Sequence, residues 1–205
     1  MTTAQGRTRN RRGEGGRLRE QLVTAAGELL DETGDRGAIT LRALARRVGV
    51  AATSIYAHFD GPTAVLAALA DDVFAQLARC LEEAAIGPTA TARLVAVCDA
   101  YVRFGLDHPH RYGLLFAGGV LPRPVPGATI DSIPGAAAFG VLLSGVRECV
   151  AAGESESQDP FTDAVAVWVG LHGYVGLQRT NPAFPWPDGG PLTGLLVARL
   201  ARLTG

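Results

Sequence analysis

Lysine is absent from this chain. All 19 basic residues of the 205 are arginine, so every cation is a permanently charged, planar guanidinium. Cysteine is scarce: Cys80, Cys98 and Cys149 are odd in number and far apart. That excludes a disulfide framework, offers no metal-ligand spacing, and suits a reducing cytoplasm. No apolar run approaches the 18 or so residues of a membrane span, so no membrane partner is expected. The arginine-rich start has no apolar segment behind it and does not read as a signal peptide. No stretch alternates convincingly as a strand does. No paired carboxylate, nucleophile motif or cofactor fingerprint sits at a recognisable spacing, so neither an enzyme nor a cofactor is expected. His108 and His110 flank Pro109 and invite a metal or general-base role, but junction histidines are usually just exposed; no metal site is expected.

What is present is a globular composition, 47% apolar and 19% charged, with net charge −1. The charge is unevenly spread. Ten arginines against six acids precede Asp60, giving +4, which leaves −5 for the remainder. A basic front on an acidic body suits contact with a polyanion at one end. Residues 40–59 explain how. Leu41, Leu44, Ala45 and Val48 line one helical face. Gly49 stands where a helix reverses into the left-handed backbone that only glycine takes without cost. A second short helix to Phe59 is predicted, with Ile55 and Phe59 inward. Helix, glycine turn, helix is the helix-turn-helix plan, whose second helix enters the DNA major groove.

In chain order, residues 1–16 form an arm with almost no apolar content. Its Arg7, Arg9, Arg11 and Arg12 are either a solubilising tail or extra phosphate and minor-groove contacts. In the second case, removing residues 1–12 should weaken operator binding and flatten its salt dependence. An amphipathic helix over 17–33 carries Leu18, Leu22, Ala25, Ala26, Leu29 and Leu30. Thr40 is placed to cap the next helix. Pro62 opens a helix to about residue 85, with Val65, Leu66, Leu69, Val73, Leu77 and Leu81 inward. Further helices are predicted over 89–108, up to Phe116, over 136–152, over 160–179, and a last one ending near 203. The architecture expected is all-α, about nine helices: an N-terminal three-helix DNA-binding domain over 17–61 and a larger helical-bundle domain for ligand binding and dimerisation over 62–205. The Gly- and Pro-rich segment 117–134 is long for a plain connection and reads either as a lid or as a disordered insertion.

Gly49-Val50, then Ile55-Tyr56-x-His58-Phe59, then a helix opening at Pro62 with Val65-Leu66, resemble the TetR/AcrR family of transcriptional regulators. The resemblance implies that Thr40 caps its helix against a DNA phosphate. It places Ala51, Ala52, Thr53 and Ser54 at the groove-facing start of the recognition helix, with Ala57 also toward the groove. Tyr56 and His58 would bond phosphates. Arg42, Arg46 and Arg47 lie on the polar face of the preceding helix, where a solvated face is the alternative. The chain departs from the family at two places where many members carry Ser or Thr and Lys; here these are Ala51 and Pro62. The recognition helix also lacks Arg, Lys, Asn and Gln, the usual base readers, so its readout rests on hydroxyls, methyl contacts and DNA shape.

The family's larger domain dimerises and encloses an effector site. Gly170, Gly173 and Gly176 recur at steps of three, with Trp168, Leu171 and Val175 beside them. With Leu192, Leu195, Leu196, Leu200 and Leu203 of the last helix they suit either a dimer interface or an internal packing groove. Trp168-x-x-x-His172-Gly173 is similar to a Trp/His-Gly subgroup of the family. Candidate pocket residues are Tyr101, Phe104, Tyr112, Phe116, Trp168 and His172. The expected function is that of a ligand-responsive repressor, with a double-stranded DNA operator, a second copy of itself and a small apolar effector as partners. A redox regulator acting through a cysteine and a helical enzyme are the rivals.

Overall fold

The computed structural model describes residues 14–116, 118–121, 127, 129–187 and 189–204, the side chains from residue 16 onward. The arginines of the N-terminal arm therefore lie outside the described residues. Among the described residues the fold is all-helical. Nine α-helices run in the order α1 (Glu14–Thr33), α2 (Leu41–Val48), α3 (Ala52–Ile55), α4 (Pro62–Ala84), α5 (Ala90–Asp107), α6 (Pro109–Leu115), α7 (Ala136–Ala151), α8 (Pro160–Thr180) and α9 (Gly189–Leu200). Two single 3₁₀ turns, Arg36–Ala38 and Ile130–Ser132, interrupt the loops. The β-type pairing found is one isolated bridge, Ser155 to Leu203.

The chain divides into two compact units, the first ending at Leu69 and the second beginning at Ala70. In the first, α1 packs on α2 and α2 on α3. Leu22, Ala26, Leu30, Leu44 and Ile55 are fully buried or nearly so, the stripes that helical spacing predicts. In the second, α5 is the hub: α7, α8 and α9 all pack on it, and α8 also meets α7 and α9. Leu94, Cys98, Val146, Val167, Val175 and Val197 have no exposed surface. The α4 helix is continuous through the boundary, its first two turns in the first unit and the rest in the second.

Three boundaries differ from expectation. Glu14 rather than Arg17 opens α1. The last helix stops at Leu200 rather than near Leu203, because the chain leaves it to pair with the 154–156 segment: Glu156 N–H donates to Arg202 O at 2.9 Å and Thr204 N–H to Glu154 O at 3.0 Å. The recognition helix α3 is a single turn ending at Ile55, not a helix to Phe59. Its sequence, Ala-Thr-Ser-Ile, has two residues whose hydroxyls compete for backbone hydrogen bonds, and the amides of His58 and Phe59 both close on the Ile55 carbonyl, at 2.8 and 3.0 Å.

Candidate nucleic-acid interface and ligand cavity

The helix-turn-helix is built by local rules. Thr40 has extended backbone, and its hydroxyl accepts the Ala43 N–H at 3.1 Å, a side-chain N-cap. α2 ends at Gly49 with φ +78° and ψ 31°, a left-handed position open to glycine, and the Gly49 and Val50 amides both donate to Ala45 O. Ala51 is then the N-cap of α3 and supplies no side-chain bond. One buried residue, Ile55, anchors that turn, with Phe59 buried just beyond it under the Arg19 guanidinium, 5.1 Å from the ring centre.

The other predicted DNA-contact residues are mostly outward. Thr40, Arg42, Ala51, Thr53, Ser54, Tyr56 and Ala57 are exposed, while Ala52 and His58 are half-buried. Tyr56 is 63% exposed, so its phenol is not taken up by packing. The three arginines of α2 are not equivalent. Arg42 and Arg46 are exposed, whereas Arg47 Nε donates to Glu28 at 2.9 Å and its Nη1 to Glu32 at 2.8 Å, clamping α2 to α1. The Arg47 hydrogen bond draws the Glu32 carboxyl below the usual value. Arg47 is thus a neutralised strut.

In the second unit a cavity of about 350 Å³ is lined by α4, α5, α7, α8, the end of α6 and the described part of the 117–134 loop. Phe74, Leu77 and Leu81 come from α4, Val97, Cys98 and Tyr101 from α5, and Phe139 and Leu142 from α7. Val165, Trp168 and Leu171 come from α8, and Ile130, Ile133 and Pro134 from the loop. Leu121, Ile130, Ile133 and Pro134 of the loop are therefore part of the wall; residues 117, 122–126 and 128 lie outside the described residues.

Of the six pocket candidates, Tyr101, Phe116 and Trp168 line the cavity. Tyr112 and His172 stand behind the wall, joined to it by hydrogen bonds. The Trp168 indole N–H donates to the Tyr101 oxygen at 3.2 Å, the two tyrosine hydroxyls are 2.9 Å apart, and the Tyr112 hydroxyl is 2.7 Å from His172 Nδ1. The sixth candidate, Phe104, lies off the wall, buried with its ring centre 5.1 Å from that of His108. Seven residues after Val97, it shares the Val97–Tyr101 face of α5 but stands roughly 10 Å further along the helix axis from Val97. The Trp168/His172 pair of the Trp/His-Gly motif thus brackets one row of polar groups in an otherwise apolar region.

Burial raises the Tyr101 and Tyr112 hydroxyls above the ordinary phenol value, and desolvation lowers His172 below 6.5. All four members of the row are therefore neutral at physiological pH. Burial also pushes the Cys98 and Cys149 thiols up, the opposite of what a reactive cysteine needs. Among the described residues no group of three or more His, Cys, Asp and Glu could hold a metal, and no helix is long and apolar enough to cross a membrane.

Phe74, Cys98, Ile130, Ile133, Phe139, Leu142 and Val165 were not predicted as cavity residues. Phe74 carried a signal, being an aromatic three and seven residues before Leu77 and Leu81. The others are indistinguishable by type from core residues until the loop is placed.

A helix-turn-helix unit followed by a helical bundle with an apolar cavity defines a DNA-binding transcriptional regulator, not an enzyme. The chain belongs to the TetR/AcrR family: residues 94–200 match the tetracyclin repressor-like C-terminal domain. It is 28% identical over 97 residues to the uncharacterized HTH-type transcriptional regulator YobS of Bacillus subtilis strain 168, a match that spans 47% of this chain and 50% of that protein. Among solved structures it is similar to a protein of unknown function from Rhodococcus sp. RHA1, with 28% identity, a TM-score of 0.74, and 90% of this chain and 94% of that chain covered. It also shares its fold with the transcriptional regulator FadR from Bacillus subtilis in complex with stearoyl-CoA, at 18% identity and a TM-score of 0.67, over 89% of this chain and 97% of that one.

Proposed function

We propose that the protein is a cytoplasmic, ligand-responsive repressor that binds a palindromic operator as a homodimer and is released by a small apolar effector. The observation that carries this reading is the course of α4. One uninterrupted helix begins two residues after Asp60, beside the recognition turn in sequence, and contributes Phe74, Leu77 and Leu81 to the cavity wall. Pro62 and Phe74 belong to that one helix, twelve residues apart in the chain. A ligand that shifts α4 at the cavity would act on the helix that follows the recognition turn in sequence, the differential contact that linkage requires. The same linkage allows a ligand that tightens binding.

On DNA, Thr40, Tyr56 and His58 would bond phosphates, and Arg42 would add charge. Ala51, Ala52, Thr53, Ser54 and Ala57 would face the groove, with thymine methyls suited to the alanines. The dimer surface is an exposed apolar strip on α8 and α9. Val169, Leu177 and Leu195 are more than half exposed. A Cβ on Gly173 or Gly176 would meet nothing within 4 Å, whereas one on Gly170 would meet Leu200 at 3.0 Å. Gly170 therefore serves the internal α8–α9 contact, and the two later glycines leave a flat strip for a partner. Leu171 and Val175, expected beside that strip, are buried instead, since they lie on the opposite side of α8 toward α5.

Selection of bound sites from random DNA by the purified protein tests the reading. An enriched palindrome with half-sites about one helical turn apart is expected, and none would overturn it. Sedimentation supplies the second half: a dimer for the natural chain and a monomer for Val169→Arg combined with Leu177→Arg. A redox regulator predicts peroxide-sensitive operator binding; insensitivity is expected here.

A further inference from the structure

We propose that the cavity takes an uncharged, mostly hydrocarbon ligand bearing one hydrogen-bond acceptor, a ketone or ester carbonyl, which receives the Tyr101 hydroxyl proton. This deepens the effector reading above and rests on it.

Charge decides the first part. Among the described residues of the wall none is charged. Its described residues with a polar side-chain group are Tyr101, Trp168 and Cys98. A carboxylate buried there would lose its hydration and find no cation among the described wall residues, which a binding site does not tolerate. A carbonyl asks for one donor.

The hydrogen-bond row decides the second part. Trp168 N–H can only donate, and its partner is the Tyr101 oxygen. Two proton arrangements satisfy the remaining contacts. If His172 Nδ1 accepts, the protons run from Trp168 to Tyr101 to Tyr112 to His172, and each O–H is used inside the protein. If Nδ1 carries the proton, they run from His172 to Tyr112 to Tyr101, and the Tyr101 proton has no partner in the row. That proton is then available to the cavity that Tyr101 lines. No heavy atom moves between the two arrangements. The half-buried His172 exchanges its ring proton between Nδ1 and Nε2 through solvent. An incoming carbonyl selects the second arrangement, and the empty cavity rests in the first. Trp168 and His172 act here as positioning residues at the two ends of the row.

The test compares a ten-carbon methyl ketone with decanoate, above neutral pH so that the acid is ionised, on the full chain and on Tyr101→Phe. Calorimetry is expected to show the ketone binding at least tenfold tighter than decanoate. Tyr101→Phe should weaken the ketone about five- to tenfold, the worth of one hydrogen bond. Equal affinity for decanoate, no ketone binding, or an unchanged ketone affinity in the variant would each overturn the proposal. Because the variant can disturb packing, a second readout uses the natural chain. The infrared stretch of a ¹³C-carbonyl ketone should be lowered on binding relative to an apolar solvent. An unshifted band also overturns it. Release of selected operator DNA is scored separately: a ketone that binds with the lowered stretch but leaves the DNA complex intact removes the effector reading while the ligand class stands.

Discussion

The Tyr112 hydroxyl sits 2.7 Å from Nδ1 of His172, a residue sixty positions further along the chain. α6 and α8 are tied there by a bond that neither helix makes within itself. Tyr112 is 1% exposed, and its ring stands edge-on to Tyr101 at 5.9 Å. Close packing fixes it: a Cβ on Gly105 would lie 2.7 Å from Val175 and 3.1 Å from the Tyr112 ring, so only glycine leaves α5 that near. Tyr112→Phe removes one hydroxyl and strips a partner from both Tyr101 and His172. Urea unfolding should show a loss of about 1–3 kcal/mol, the cost of buried polar groups left short of a bond. A loss below the error of the midpoint would show the row to be solvated.

The recognition turn is short of a cap. Ala51 occupies the N-cap of α3 without a side-chain bond. Ala51→Ser should restore one, strengthening that turn by about 0.5–2 kcal/mol. The expected readouts are slower amide exchange at Ser54 and Ile55 and tighter operator binding. Unchanged exchange would mean that the turn is held by Ile55 alone.

Arg42 and Arg47 lie five residues apart on α2 but should part company in function. Arg42 is free of ion pairs among those resolved here, while Arg47 is held by Glu28 and Glu32. If Arg42 meets a phosphate, Arg42→Ala reduces the slope of log K against log salt by about one. Arg47→Ala should leave that slope near its original value and instead lower the melting temperature by a small, salt-sensitive amount. The reverse pattern would exchange their roles.

Acid should loosen the second unit at a defined place. The Glu154 carboxylate accepts the Thr91 N–H at 2.7 Å at the start of α5. That bond, the largest cause, holds the carboxyl below its ordinary 4.5. A group with a lowered folded-state pKa stabilises above its unfolded value and loses that contribution as pH falls through the folded one. Melting temperature should therefore drop with acid below about pH 4.5, and Glu154→Gln should flatten that part of the curve. Superimposable curves would remove Glu154 from the account.

Local chemistry made much of the molecule legible. Thr40, Gly49 and Pro62 mark helix ends because capping, left-handed backbone and a missing N–H are properties of single residues, and the structure places each at such an end. The helix-turn-helix spans twenty contiguous residues, so spacing alone displays it. α3 was less legible: its length depends on a cap that Ala51 does not provide.

The cavity is a different kind of object. Its wall joins α4 to α8 across nearly a hundred residues, and Phe139 or Val165 has the same composition whether it faces a void or a neighbour. Arg42 and Arg47 likewise read alike until α1 brings Glu28 and Glu32 to one of them. The sequence by itself determined the helices, most of their ends and the DNA-binding class, since these follow from neighbours three and four residues apart. Only the tertiary structure decided which apolar faces close on each other and which leave a space. It also decided that Trp168, Tyr101, Tyr112 and His172 meet in one row, because those distances are set by helix packing and not by position along the chain.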